Sequence, residues 1–245
     1  MTKTLSTKPS LQKDVYYATL FNQVTQHSAW LTDKAFAPGG WAVDYCFLYT
    51  MYRALNACKP STIIELGLGQ TTHMLSQYKT WYNNINVDQQ KEGLCNLLTF
   101  EHDSDWIEFF KTQSKVALDI YQCKLVKDTS VVIDGETYEH INYYSNFINL
   151  ANIEKKYQFT VIDAPFGTKP YSRIHVLELI ANDLIDTNHF VIMIDDMNRE
   201  GEQNTFKKCQ EMLKVRGVKF KTQIYSGEKE HGIIVSDSLK FLTTM

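Results

Sequence analysis

The segment Ser61-Thr62-Ile63-Ile64-Glu65-Leu66-Gly67-Leu68-Gly69-Gln70-Thr71-Thr72 does most to restrict how this chain can fold. Ile63, Ile64 and Leu66 form a short apolar, β-branched run that reads as a buried strand. Gly67 and Gly69 follow at once, and glycine lets a backbone take positive φ and pass close to a ligand. Thr71 and Thr72 then suit a helix start. A strand, a glycine bend and a helix in that order make a place to hold a nucleotide.

Glu65 decides between kinds of nucleotide. A dinucleotide fingerprint places a pyrophosphate on the glycine bend and a third small residue behind it. Here Thr72 stands in that third place, and a carboxylate precedes the first glycine. A fixed negative charge repels pyrophosphate and attracts a cationic ligand rich in donors. S-adenosylmethionine has that character: its sulfonium and ammonium are positive, its ribose hydroxyls donate, and its carboxylate can rest near a helix N-terminus.

The 245 residues suit one α/β domain with an N-terminal extension. A formal net charge of -3 gives no electrostatic footprint for nucleic acid. Cys46, Cys58, Cys95, Cys123 and Cys209 are scattered without C-x-x-C spacing, so the sequence indicates neither a zinc site nor a disulfide framework, and a reducing cytoplasm fits best. The polar, basic opening, residues 1–10, has no apolar core of the secretory kind and reads as a disordered terminus. No apolar run approaches the roughly 20 residues that span a bilayer.

Helical spacing covers about Leu11 to Phe36 until Pro38-Gly39-Gly40 breaks it, and a second helix is expected over Trp41 to Ala57. Residues 11–59 are thus an N-terminal helical extension, usable as an acceptor lid or as a contact in a homo-oligomer. A helix over Thr71 to Trp81 precedes a polar stretch, Asn83 to Gln90, read as a surface excursion. Leu97 to Glu101 is the next strand, with Ser104 or Asp105 capping a helix that carries Trp106, Ile107, Phe109 and Phe110. Ile120 to Val126 is a third strand. Val131 to Tyr138 alternates around Asp134-Gly135 and reads as an inserted hairpin. Phe159 to Asp163 and Phe190 to Asp195 are the fourth and fifth strands, with helices over Ile174 to Ile185 between them and Asn204 to Val215 after them. Val218 to Tyr225 and Gly232 to Val235 make an antiparallel edge.

Glu65, Glu101, Asp163, Asp195 and Asp196 all close expected strands. In an open parallel sheet that edge faces the ligand. One such acid is ordinarily a helix cap or a solvated turn, but nothing in folding asks for five. Glu101 is placed to accept from ribose hydroxyls. His102 and Asp103 either line an adenine pocket or belong to a solvated turn.

This order of motifs resembles a class I S-adenosylmethionine-dependent methyltransferase over roughly Pro60 to the C-terminus (residues 60–245). The resemblance implies a Rossmann-like mixed α/β sheet of about seven strands, parallel with an antiparallel C-terminal edge and helices on both faces. It also implies that Glu65, Gly67 and Gly69 hold the methionine end of the cofactor and Glu101 the ribose; Gln70, Thr71, His102 and Asp163 are further candidate cofactor-binding residues. The usual third glycine is missing, with Gln70 and Thr71 in its region. A looser resemblance links Asp163-Ala164-Pro165-Phe166-Gly167, Arg173 and Asp195-Asp196-Met197-Asn198-Arg199-Glu200 to the glucuronoxylan O-methyltransferases, which implies a sugar hydroxyl as acceptor.

Methyl transfer needs the acceptor oxygen aligned with the sulfonium carbon and relieved of its proton. Either Asp163, Asp195 and Asp196 hold Mg2+ or Mn2+, as in catechol-type O-methyltransferases, or one of these acids or a histidine acts directly as base. Candidate catalytic residues are Asp163, Asp195, Arg173 and His175. Arg173 either clamps the acceptor or pairs with Glu178 at the surface, and His175 is otherwise an ordinary helix residue. Trp41, Tyr45 and Tyr171 either stack on a sugar or pack in the core. Two other functions compete: a nicotinamide-dependent oxidoreductase or epimerase, and a non-catalytic cofactor-binding subunit. The acceptor expected is a glycan or small molecule, with no nucleic-acid partner.

Overall fold

A computed structural model describes residues 9–88, 93–113, 118–151 and 156–244. Residues 1–8 and 89–90, where the disordered terminus and the end of the polar excursion were expected, lie outside the described residues. Two helices come first, α1 (Pro9–Thr25) and α2 (Tyr45–Cys58), then β1 (Thr62–Leu66), α3 (Gln70–Asp88), β2 (Asn96–Glu101), α4 (Ser104–Gln113) and β3 (Ile120–Gln122). A hairpin of β4 (Lys124–Ile133) and β5 (Glu136–Ser145) and the short α5 (Phe147–Leu150) interrupt the alternation. It resumes with β6 (Phe159–Ile162), α6 (His175–Ala181), β7 (Val191–Ile194) and α7 (Glu200–Val215), and ends in β8 (Phe220–Ser226) and β9 (Glu230–Ser236).

Seven strands form one sheet in the order β3-β2-β1-β6-β7-β9-β8. The first five run parallel, β9 is antiparallel to β7, and β8 is antiparallel to β9. This is the Rossmann-like mixed sheet with an antiparallel C-terminal edge. Strand order reverses between β1 and β6, so the crevice for a ligand opens beyond their carboxyl ends.

The period of two along each strand feeds two cores. Ile63, Val161, Val191, Met193, Ile233 and Val235 pack on one face with Phe47, Leu48 and Met51 of α2 and Met74 and Leu75 of α3. Ile64, Ile162, Ile192, Ile194 and Ile234 pack on the other with Leu177 and Ile180 of α6 and Cys209 and Leu213 of α7. Helix α2 therefore belongs to the main core. It begins at Tyr45 because Asp44 caps it, the Asp44 carboxylate accepting from Phe47 N at 2.8 Å.

Several expected boundaries move. The first helix ends at Thr25, well short of Phe36. Asn83 to Asp88 continue α3 instead of leaving it, because helical side chains there still reach inward, as Asn86 does. The cap of α4 is Asp103, whose Oδ1 accepts from Asp105 N and Trp106 N at 3.0 Å each, and not Ser104 or Asp105. Only Ile120–Gln122 of the expected third strand joins the sheet; Lys124 onward belongs to the hairpin, closed by positive φ at Asp134 and Gly135.

Gly67 sits where β1 meets β6, with φ of 105°, and a Cβ there would lie 3.2 Å from Ala164 Cβ and 3.3 Å from the Asp163 carbonyl carbon. Gly67→Ala combines strained backbone with that crowding, and a stability loss of about 1–3 kcal/mol is expected in urea titrations; an unchanged midpoint would contradict the packing described.

Candidate functional site

Every amide of the bend after β1 is used within the protein. Gly67 N donates to Phe100 O at 2.9 Å, Leu68 N to Glu101 Oε2 at 3.3 Å, and Gly69 N to Thr72 Oγ1 at 2.9 Å. Thr72 Oγ1 passes the connection on, donating to Glu65 Oε2 at 2.8 Å, and Thr99 Oγ1 donates to the same oxygen at 2.9 Å. The bend is thus tied from below by two acids.

Glu65 is wholly enclosed, so its carboxylate does not face a ligand as its charge alone suggested. Its Oε1 is buried without a partner of hydrogen-bonding geometry. Burial pushes its pKa up to about 7 against the opposing hydroxyls of Thr71, Thr72 and Thr99. The long-range attraction argued from a fixed charge is therefore weak, and Glu65 shapes the bend instead. Above Gly69 there is open space, with nothing within 4 Å of a built Cβ. Gln70 opens α3 and its Oε1 accepts from Ala37 N at 3.1 Å, while Thr71 is buried beside it.

Glu101, nearly buried, also accepts from His102 N at 2.6 Å and Asp103 N at 3.0 Å through Oε1, and His102 Nδ1 lies 2.6 Å from the same oxygen. Oε2 carries one bond, to Leu68 N. Trp106 Nε1 donates to Leu68 O at 2.7 Å and stacks on Phe109, which places two exposed rings beside the bend.

The second group of residues gathers at the ends of β6 and β7. Asp163 N bonds Leu66 O at 2.8 Å and Asp195 N bonds Ile162 O at 3.1 Å, which fixes both acids at neighbouring strand ends. Arg173 lies buried among them with φ of 52°. Its guanidinium is 2.7 Å from Asp196 Oδ2, 3.3 Å from Asp163 Oδ1 and 3.6 Å from Glu202 Oε1, and it donates to Asp195 O at 3.1 Å. The alternative pairing of Arg173 with Glu178 does not occur; Glu178 Oε1 accepts from Tyr143 Oη at 2.6 Å. Arg199 Nη1 stands 2.9 Å from Asp196 Oδ2 and 3.9 Å from Glu202 Oε1. Lys229 Nζ lies 3.9 Å from Asp195 and 3.8 Å from Asp196.

Burial raises the Asp163 pKa, with Arg173 opposing and Asp196 adding to the shift, and burial with Asp163 and Asp196 raises that of Asp195. Asp163 is the more open of the two, its side chain one-fifth exposed, whereas Asp195 is buried and its Oδ2 makes no hydrogen bond, with Lys229 Nζ 3.9 Å away.

The carboxylates of Asp163, Asp195 and Asp196 do converge, with ligand atoms within 4.8 Å of one another. Hard oxygen donors suit Mg2+ or Mn2+. However, the guanidinium of Arg173 already bonds two of the three and Lys229 faces the third, so a divalent ion would meet fixed positive charge. These residues do not fit a divalent metal. Arg173 takes the place expected of one.

His175 is not brought to this cluster. Its ring is fully buried, its Nε2 accepts from Tyr144 N at 2.9 Å, and it stacks on Tyr143 with centroids 4.7 Å apart. Burial lowers its pKa to about 3, so it is a neutral core group. Tyr45 and Tyr171 pack against Phe21 and Tyr138. Trp41 behaves differently: it is 83% exposed, edge-on to the half-exposed Phe166 at 5.7 Å. Phe166 is in turn 6.0 Å from the His102 ring. Sequence reasoning missed Phe166, Lys229 and Glu202. Glu202 was within reach, since Asp196, Arg199 and Glu202 recur every three residues, whereas Glu200 turns outward to Lys169 at 2.9 Å.

No described helix is long and apolar enough to cross a membrane. No family model matches the sequence, and no curated protein matches it. Among solved structures the chain is similar to the hMettl16 catalytic domain in complex with a MAT2A 3'UTR hairpin, at 11% identity and a TM-score of 0.43, covering 93% of this chain and 81% of that one. It is also similar to a methyltransferase from Pyrococcus furiosus, at 12% identity and a TM-score of 0.38, covering 91% and 96%. It is similar as well to MNMC2 from Aquifex aeolicus, at 12% identity and a TM-score of 0.36, covering 91% and 84%.

A carboxylate whose pKa is higher in the folded chain than in the unfolded one binds its proton more tightly when folded. Stability is then greatest below the unfolded value of 4.5 and falls as pH rises to the folded value of about 7. For Glu65 the fall is on the order of 3 kcal/mol. Glu65→Gln keeps an acceptor for Thr72 and Thr99 without the charge. Chemical denaturation at pH 5 and pH 8 is expected to show a shallower fall for the variant than for the wild type; an unchanged slope counts against a buried, proton-binding Glu65.

Proposed function

We propose that this chain is an S-adenosylmethionine-dependent O-methyltransferase whose acceptor is a sugar or another hydroxylated small molecule. The observation that carries this reading is the saturated bend. Gly67, Leu68 and Gly69 spend their amides on Phe100, Glu101 and Thr72, so they offer none to a pyrophosphate. A dinucleotide site depends on such donors, which weakens the nicotinamide alternative. What the bend presents is an uncrowded backbone at Gly69 flanked by the acids Glu101 and Asp163, an environment for a ligand that donates.

In this reading Glu101 accepts from the ribose hydroxyls through Oε2, and His102 with Phe166 borders the base. Gly69, Gln70 and Thr71 at the start of α3 receive the amino-acid end, and Gly67 brings the backbone close. Glu65 acts beneath them as a positioning residue. The bound cofactor supplies an electrophilic methyl group on its sulfonium. The chain must then orient an acceptor hydroxyl and accept its proton. Asp163, open at the end of β6 and with a pKa raised toward neutrality, takes that proton. Arg173 holds Asp163 and Asp196 in place and keeps their mutual repulsion from displacing either. Asp195, buried beside Lys229, backs Asp163 as a positioning residue. The exposed faces of Trp41 and Phe166 supply an amphipathic platform of the kind that receives a sugar ring. His175 has no part in transfer beyond supporting the fold, and no step passes through a metal.

Calorimetry is expected to show one S-adenosylmethionine site per chain, weakened at least tenfold by Glu101→Ala. Absence of binding to the wild type removes this reading. Asp163→Asn is expected to bind the cofactor normally yet transfer methyl groups to hydroxylated acceptors at least 100-fold more slowly, within the range of lost general-base catalysis. Because the base must be unprotonated, the wild-type rate should fall as pH drops through about 6. Tight cofactor binding with no transfer to any acceptor in a broad panel would instead favour a non-catalytic subunit.

A further inference from the structure

Away from the strand-end acids, the N-terminus of α2 meets the start of β9, and there Asp44, Cys46 and His231 come together. One ligand atom from each lies within 4.8 Å of the others, and all three residues are buried. We infer that these three side chains form a binding site for one borderline-soft divalent cation of the Zn2+ type, independent of the methyl-transfer reading.

His231 is the reason to see a ligand site here. Its ring is 1% exposed, and neither Nδ1 nor Nε2 has a hydrogen-bond partner. A buried imidazole with no partner on either nitrogen loses the hydration of two polar atoms and regains nothing, which natural cores rarely tolerate without a water or an ion. Phe47 and Tyr225 wall the ring at 4.9 and 5.5 Å and make no hydrogen bond to it. A neutral imidazole has a ring-nitrogen lone pair to give, and here nothing in the protein takes it up.

The donor set fits the cation. Thiolate, imidazole and carboxylate suit Zn2+ in preference to Mg2+ or Ca2+. Bond lengths of about 2.0–2.3 Å to tetrahedral zinc put ligand atoms about 3.5 Å apart, so side-chain adjustments of about an ångström suffice. On binding, the Cys46 S–H bond breaks, its proton leaves to solvent and the sulfur bonds the metal. One thiolate and the Asp44 carboxylate then balance the two positive charges, and a water completes the tetrahedron. The Asp44 oxygens are already oriented by Phe47 N at 2.8 Å and Lys229 N at 2.9 Å, the outer bonds that hold a ligating carboxylate. Gly227 closes the place from above: a Cβ there would meet Cys46 Cβ at 2.6 Å and collide with the Asp44 carboxylate. The cation would thereby clamp the β8–β9 turn, and Lys229 with it, onto α2.

The test uses full-length protein stripped with a chelator and titrated with Co2+ alone, then Zn2+. One equivalent of Co2+ should bring a near-ultraviolet thiolate-to-cobalt band with tetrahedral visible bands, and Zn2+ should displace them and raise the melting temperature. Cys46→Ser should lose the ultraviolet band, His231→Phe should weaken Co2+ binding at least tenfold, and Asp163→Asn should keep both signals. Folded wild type that shows no band with excess Co2+ and no thermal shift with Zn2+ overturns the site, a result that does not depend on any variant folding. Bands retained in Cys46→Ser or lost in Asp163→Asn place the metal elsewhere and overturn it equally.

Discussion

The bend between β1 and α3 must bury its own amides, and the rest of the site follows from how it does so. Gly69 N, Thr72 Oγ1 and Glu65 Oε2 form one chain of bonds, and Leu68 N reaches Glu101 across to β2. Each net hydrogen bond contributes about 1 kcal/mol, but leaving one of these buried groups unmade costs more. The acids at the ends of β1 and β2 are thus parts of the backbone's own accounting. Because they are, Gly67, Leu68 and Gly69 have no amides left for phosphate, and what the strand ends bring to the crevice is acceptor character from Glu101 and Asp163.

The same economy of charge governs the far side of the crevice. Three carboxylates, Asp163, Asp196 and Glu202, crowd around Arg173 together with the Asp195 backbone carbonyl, with Arg199 and Lys229 at the margin. Planar guanidinium can bond several acceptors at once, which an ammonium cannot do with equal geometry. Its position explains why acids accumulate at strand ends without flying apart. It also explains how an arrangement that resembles a metal-binding triad in sequence has its charge met by a guanidinium in space.

Much of the fold was legible because periodicity and punctuation agree. The run Ile63 to Leu66, the Asp134-Gly135 turn and the paired final strands each combine an apolar pattern with a residue that permits its turn, and each appears as read. Less legible were boundaries set by a single side chain, such as the cap at Asp103, and polar helical turns such as Asn83 to Asp88, where sequence polarity hides continued packing. Within the site, the strand-end acids were readable individually. The partnership of Arg173 with Asp196 was not, because it depends on a tertiary fold bringing a loop across β6 and β7. His175 sits close to Arg173 in sequence yet faces Tyr143 and Tyr144, a difference of orientation that no spacing rule reveals. The meeting of Cys46 with His231 was equally hidden, since cysteine spacing reports only ligands that are close along the chain.

Hydrogen exchange on the intact protein interrogates the bend directly. With saturating S-adenosylhomocysteine, added protection is expected in peptides covering residues 62–76 and 97–106, and NADH at the same concentration should give none. Protection by NADH in those peptides, or no change with either ligand, would contradict the claim that a bend with its amides turned inward selects a nucleoside without pyrophosphate.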